Sequence, residues 1–157
     1  MGMDLYYHAF EKVGDYPVSN DVVTTFPAGA PTELNSTDGG LQIGATEANI
    51  LGLAKVSRSQ MVVAGPSVQG SGGTNQGSAT VVTGITIVEL YDNSDEIADD
   101  GSPMADAISA YAINDRLYFS AGKWQKAAAG APFGRVLEAA ANSNLGGVVA
   151  YFNFTIH

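Results

Sequence analysis

Gly147-Val148-Val149-Ala150-Tyr151-Phe152-Asn153-Phe154-Thr155-Ile156 alternates with a period of two. Val148, Ala150, Phe152, Phe154 and Ile156 fall on one face; Val149, Tyr151, Asn153, Thr155 and the following His157 fall on the other. Successive side chains of an extended chain point to opposite sides, so the run predicts a half-buried β-strand. Upstream, 80–91 has the strongest β-branched content in the chain and predicts another. Short apolar runs at 22–26, 41–43, 50–56, 61–64, 116–119 and 134–139 add further strands, divided by close-set glycine and proline turns. In Pro27-Ala28-Gly29-Ala30-Pro31 the two prolines cannot donate ladder hydrogen bonds, which closes the first of these strands. The pattern is mainly β, an antiparallel sandwich or barrel-like domain spanning 21–157.

Three segments stand apart. Residues 1–20 are aromatic and weakly periodic, and read as an N-terminal arm. The stretch 65–79 is dominated by Gly, Ser, Gln and Asn, which bury too little apolar surface to offset backbone ordering, so it reads as a flexible loop. The chain offers one short helix near 103–113. Ser102 can cap it, Pro103 suits the first helical position and Asp106 lies near the positive dipole end. Met104, Ile108 and Tyr111 would share its apolar face.

Composition narrows the function classes. The 157 residues contain 16 Asp+Glu against 7 Lys+Arg, a net charge of −9. Such a charge repels phosphate backbones and points away from nucleic acid as a partner. No run approaches the roughly 18 apolar residues of a membrane-spanning helix. The first residues carry neither the basic nor the apolar region of a signal peptide, which suggests synthesis in a cytoplasm. There is no cysteine, hence no disulfide and no thiolate metal site.

Catalytic patterns are sparse. The two histidines, His8 and His157, lie near the chain ends, where a general base is poorly held. Gly65-Pro66-Ser67-Val68-Gln69 fails the nucleophile-elbow pattern at its last position. Gly70-Ser71-Gly72-Gly73-Thr74-Asn75 ends in Asn where a dinucleotide loop has Gly, and Gly72 to Gly77 lacks the following Lys and Ser/Thr of a phosphate loop. Asp92, Asp95, Glu96, Asp99 and Asp100 are hard oxygen ligands, but Ile97 breaks the EF-hand pattern, so a solvated acidic loop is the expectation. The chain is therefore expected not to be an enzyme, with no catalytic, cofactor-binding or metal-binding residues.

Other features suit an assembly protein. Leu5, Tyr6, Tyr7 and Phe10 gain nothing in a free arm unless they dock on something, which makes them candidate contact residues. Trp124, between Lys123 and Gln125, either anchors an interface if exposed or fills the core if buried. Arg116, Lys123, Lys126 and Arg135 fall in one twenty-residue window and would form a positive patch if they share a face. An internal echo also runs through the chain. Phe26-Pro27-Ala28-Gly29 followed by Ile50-Leu51-Gly52 parallels Phe119-Ser120-Ala121-Gly122 followed by Pro132-Phe133-Gly134, with glycines where a sheet bends or bulges.

Asn114-Asp115-Arg116-Leu117-Tyr118-Phe119-Ser120-Ala121-Gly122, then 129–140 around Phe133-Gly134-Arg135-Val136, then the strand at 148–156, resemble the C-terminal part of tailed-bacteriophage capsid decoration (cement) proteins. The shared habit is turn chemistry: an apolar-Tyr strand end, a glycine turn, an apolar-Gly strand start and a final alternating strand. The loop at 65–79 and the acidic stretch at 92–100 depart from it. The resemblance implies a structural virion protein on the outer capsid surface that stabilises the head by bridging neighbouring major capsid proteins. Its partners would be the major capsid protein and further copies of itself, a trimer before a dimer. The alternative is a virion-surface or extracellular carbohydrate-binding β module that draws on Tyr, Trp and the acidic loop.

Overall fold

The computed structural model describes residues 11–19, 26–55, 78–91, 102–143 and 146–155. They form strands β1 (Glu11–Pro17), β2 (Pro31–Leu34), β3 (Leu41–Ile43), β4 (Ile50–Ala54), β5 (Ser78–Leu90), β6 (Arg116–Ser120), β7 (Lys123–Gln125), β8 (Gly134–Glu138) and β9 (Val148–Asn153). Among the described residues, helix is limited to single 3₁₀ turns at Glu47–Asn49, Ile108–Ala110 and Ala140–Asn142. The chain is mainly β, and its antiparallel sheet forms a half-barrel. The strands follow one hydrogen-bonded path, β3-β2-β4-β5-β9-β8-β6-β7, with β1 added alongside β5. The alternation read at the C-terminus holds: Val148, Ala150 and Phe152 are buried while Val149, Tyr151 and Asn153 are half-buried.

The path hides a repeat. The order β3-β2-β4-β5 in the first half is matched by β7-β6-β8-β9 in the second, and β1 pairs antiparallel with β5 as β5 does with β9. Val18 makes a parallel bridge to Leu41 on the outer strand β3, and Met104 makes the same bridge to Trp124 on β7. The residue after each bridge donates its N–H to the bridged carbonyl, Ser19 to Leu41 at 2.9 Å and Ala105 to Trp124 at 2.8 Å. Each half is thus a five-strand circuit closed by one bridge, and β5 is the last strand of the first and the first strand of the second.

The match continues residue by residue. Gly29 and Asn114 both have positive φ, 85° and 74°. Gly29 donates to Ala54 O and Ala54 donates back to Ala30 O; Asn114 donates to Val136 O and Val136 back to Asp115 O, all at 2.8–2.9 Å. Thr32 pairs with Gly52 as Leu117 pairs with Gly134, and Leu34 pairs with Leu41 as Phe119 pairs with Trp124. A Cβ on Gly52 would strike the Val82 carbonyl oxygen, and one on Gly134 the Tyr151 carbonyl oxygen. At both points the next strand lies too close for any side chain, which is why glycine stands there.

This corrects the echo read from sequence. Gly52 and Gly134 are equivalent, but Gly29 corresponds to Asn114 and not to Gly122, which lies in the β6–β7 turn. Three other expectations are also corrected. Of the segment 1–20, residues 11–17 are strand β1 and not a free arm, held by seven residue pairs to β5; residues 1–10 lie outside the described residues. The 103–113 helix is absent. Trp124 N–H donates to Pro103 O and Ala105 N–H to Trp124 O, which holds 103–105 extended, and one 3₁₀ turn at Ile108–Ala110 follows. Ser102 Oγ does accept the Met104 N–H, at 3.1 Å, but no helix is built on it. Finally, Ser78 and Ala79, read as loop, begin β5. The strand expectations at 22–25 and 61–64, the loop at 65–77 and the acidic stretch at 92–100 lie outside the described residues.

Two cores lie under the two circuits. The first gathers Val18, Phe26, Ala30, Leu41, Ala54, Ala79 and Val81. The second gathers Tyr111, Leu117, Trp124, Phe133, Val136, Phe152 and Phe154 with Leu90, Met104, Val148, Ala150, Ile50 and Leu53. β5 serves both by changing sides: Ala79 and Val81 face the first core, Val88 and Leu90 the second. Between them stands Gly84, whose φ of 79° puts a left-handed kink in the strand.

Candidate functional site

Trp124 is fully buried, so of the two settings open to it the structure shows the core, and it is no surface contact residue. Its ring packs at 5.0–6.2 Å between centroids against Phe133, Phe152 and Phe154. Its Nε1–H donates to Gly29 O at 2.9 Å, a bond that ties the second circuit to the turn of the first. Tyr111 stands over the same strand. Its hydroxyl donates to Trp124 O at 2.9 Å, and burial pushes its phenol up to about 12. The other candidate contact residues, Leu5, Tyr6, Tyr7 and Phe10, lie outside the described residues.

The basic window does form a face. In β6, Leu117 points inward, so Arg116, Tyr118 and Ser120 point out; in β7 and β8, Trp124, Gly134 and Val136 are inward and Lys123 and Arg135 outward. Arg116 and Arg135 are direct cross-strand partners, Arg135 is opposite Tyr151, and Tyr151 is opposite Ile87. One row, Arg116-Arg135-Tyr151-Ile87, therefore crosses the outer surface of four strands. Lys126 departs from the face: its Nζ donates to Ala110 O at 2.7 Å.

A cleft of about 320 Å³ opens beside this row, lined by Arg116, Arg135, Tyr151, Asn153, Pro132 and Phe133 with Gly134. Two guanidiniums, a phenol and an amide above an apolar floor can hold an anion, since each guanidinium offers a fork of N–H donors matched to a carboxylate. Arg116 and Arg135 are exposed, and among the described residues neither is paired with a carboxylate. The adjacent Asp115 carboxylate is turned to the backbone, accepting the Ala112 N–H at 2.8 Å. Like charges directly opposite each other on two strands destabilise the pairing, by roughly 0.2–1 kcal/mol.

An apolar hollow of about 190 Å³ lies where the circuits join, lined by Gly29, Leu53, Ala54, Val88 and Leu90 among others. The first circuit also holds a partly buried polar chain: Asn35 Nδ2 donates to Gln42 Oε1, Gln42 Nε2 to Glu33 Oε1, and Thr46 N–H to Glu33 Oε2, at 2.8–2.9 Å. Every member of it is bonded within the β2–β3 region, so it reads as structure. Sequence reasoning found the basic window but missed Tyr151 and Asn153. The signal was present, since both fall on the polar side of the C-terminal alternation. No protein-family model matches the chain, and no curated protein is similar to it in sequence.

Proposed function

We propose that this chain is a structural virion protein that binds the outside of a phage capsid, as a homo-oligomer, and stabilises the head by bridging neighbouring major capsid proteins. One observation carries the reading. The three stretches that resemble decoration proteins, 114–122, 129–140 and 148–156, are not scattered: their described strands are β6, β8 and β9, which lie side by side within the second circuit. The resemblance thus covers one physical block of the sheet, with its turn, its glycine strand start and its final strand in contact. Many copies on a shell also make modest individual affinity sufficient. The carbohydrate-binding alternative is weakened, because the tryptophan it would use is buried.

Co-sedimentation with mature capsids stripped of decoration, from the phage that encodes the chain, tests this. Saturable binding in a fixed ratio to the major capsid protein is the expected result. A folded protein that stays in the supernatant at every concentration overturns it.

A further inference from the structure

The repeat allows the outer faces of the two circuits to be compared row by row. One residue before Thr32 and Leu117 stand Pro31 and Arg116; one residue after Gly52 and Gly134 stand Leu53 and Arg135. Leu53 pairs with Pro31 and Val82, as Arg135 pairs with Arg116 and Tyr151. The row Arg116-Arg135-Tyr151 is therefore the counterpart of Pro31-Leu53-Val82. In the first circuit that row is covered. All three residues are buried, and Leu53 belongs, with Ile50, to the core of the second circuit. Trp124 of the same core donates to Gly29 O beside the row. The outer face of the first circuit is thus the floor on which the second is built.

The matching face of the second circuit is open. Arg116 and Arg135 are exposed and Tyr151 is half-buried. Ala28, Leu53 and Val82 line one hollow in the first circuit. Ile113, which precedes Asn114 as Ala28 precedes Gly29, stands at the edge of the open face and is 54% exposed. Another circuit like the second does not fit there. Its interior is aromatic and would strip water from two guanidiniums without supplying acceptors. A surface that brings carboxylates to the guanidinium forks and an apolar side chain to Ile113 does fit.

We infer that the outer face of the second circuit, Arg116, Arg135 and Tyr151 with Ile113 at its edge, is the docking surface for an acidic segment of the major capsid protein. The inference deepens the capsid-binding reading above and rests on it. Its place follows from the repeat, since the equivalent face is already an interface within the chain. Its partner follows from charge, since two arginines stand where the internal interface has proline and leucine.

Charge reversal on and off the row tests this in the capsid co-sedimentation assay. Arg116→Glu turns a like-charged cross-strand pair into an oppositely charged one, so its melting temperature should hold or rise. It should weaken capsid binding at least about tenfold, and Arg135→Glu should do the same. Lys55→Glu makes the same change of charge at an exposed residue outside the row and should stay within about twofold of wild type. Wild-type binding should also fall between about 50 and 500 mM salt, and fall less steeply for Arg116→Glu. Arginine variants that bind as wild type does overturn the inference and leave the decoration reading in place. Equal weakening by Lys55→Glu traces the effect to net charge and overturns it too. Sedimentation velocity of the free variants covers the other occupant: a loss of self-association that accompanies the loss of capsid binding assigns the face to a second copy and overturns the inference. A wild-type chain that stays in the supernatant removes the decoration reading itself, and this surface with it.

Discussion

The two circuits share a hydrogen-bond frame and differ in what fills it. Where the first has Leu41, Thr32, Phe26 and Gly29, the second has Trp124, Leu117, Tyr111 and Asn114. Thr32 is fully buried and its hydroxyl donates to Gly52 O at 3.1 Å; Leu117 at the matching place has no polar atom to satisfy. The first interior is small-residue and partly polar, while the second holds four aromatic rings, each within 6.2 Å of at least two of the others. What the pair has kept in common is backbone: the bridge, the left-handed turn residue, the reciprocal bonds behind it and the strand glycine. Closure depends on those, and side-chain volume is free to vary around them.

Truncating the bridged residue is the strongest way to break the comparison. Trp124→Ala should cost about 3–5 kcal/mol, because it empties the centre of the aromatic cluster and orphans Gly29 O. Leu41→Ala should fall at the lower end of about 2–5 kcal/mol, since its core is lined by smaller groups. Urea denaturation of both variants measures the difference, and equal losses would show that the two interiors are equally costly to empty.

Next in size are the strand glycines. Gly52→Ala and Gly134→Ala should each lose about 1–3 kcal/mol, because the added Cβ meets a backbone carbonyl that yields only if the strands part. Near-equal losses at the two sites would sharpen the repeat; a neutral effect at either would break the equivalence there.

The smallest effect separates Phe26 from Tyr111. The Tyr111 phenol ionises near 10 when unfolded and near 12 when folded. The neutral form is therefore favoured by folding, and its contribution is complete below pH 10 and is lost as pH rises from 10 through 12. On the order of 2 kcal/mol should disappear over that window. Tyr111→Phe should remove that part of the alkaline loss, at a cost of about 1 kcal/mol at neutral pH for the bond to Trp124 O. Stability curves from pH 8 to 12 for both proteins would show whether the alkaline slope belongs to this residue.

Much of the sheet was legible because burial imposes its period on sequence. β9, β5, β6 and β8 announced themselves through alternation or β-branched runs, and β3 and β4 through apolar segments between glycines. β1 did not: Glu11-Lys12-Val13-Gly14-Asp15-Tyr16-Pro17 contains Gly, Asp and Pro, which strands disfavour, and it is extended because β5 pairs with all seven residues. The false helix failed for the same kind of reason. Its cap and apolar spacing were genuine local preferences, but two backbone bonds to Trp124 outweighed them. The repeat is out of register in sequence because Asn114 adopts the left-handed turn that glycine favours, and Gly122, also left-handed, offers a false match. Arg116 and Arg135 were visible as charges. Their opposition was not, since it depends on the pairing of β6 with β8.

The kink at Gly84 has a consequence for how the protein comes together. Pro17 meets Ser78, and Leu90 meets Val148, so each circuit closes a span of roughly 60 residues onto the same strand. Such long-range pairings come late and slowly in folding. With its first half committed to one interior and its second half to the other, β5 cannot be released by either circuit alone. The chain cannot be cut into two independent modules at its own line of symmetry: the duplicated halves are bound to fold, and to come apart, through one shared strand.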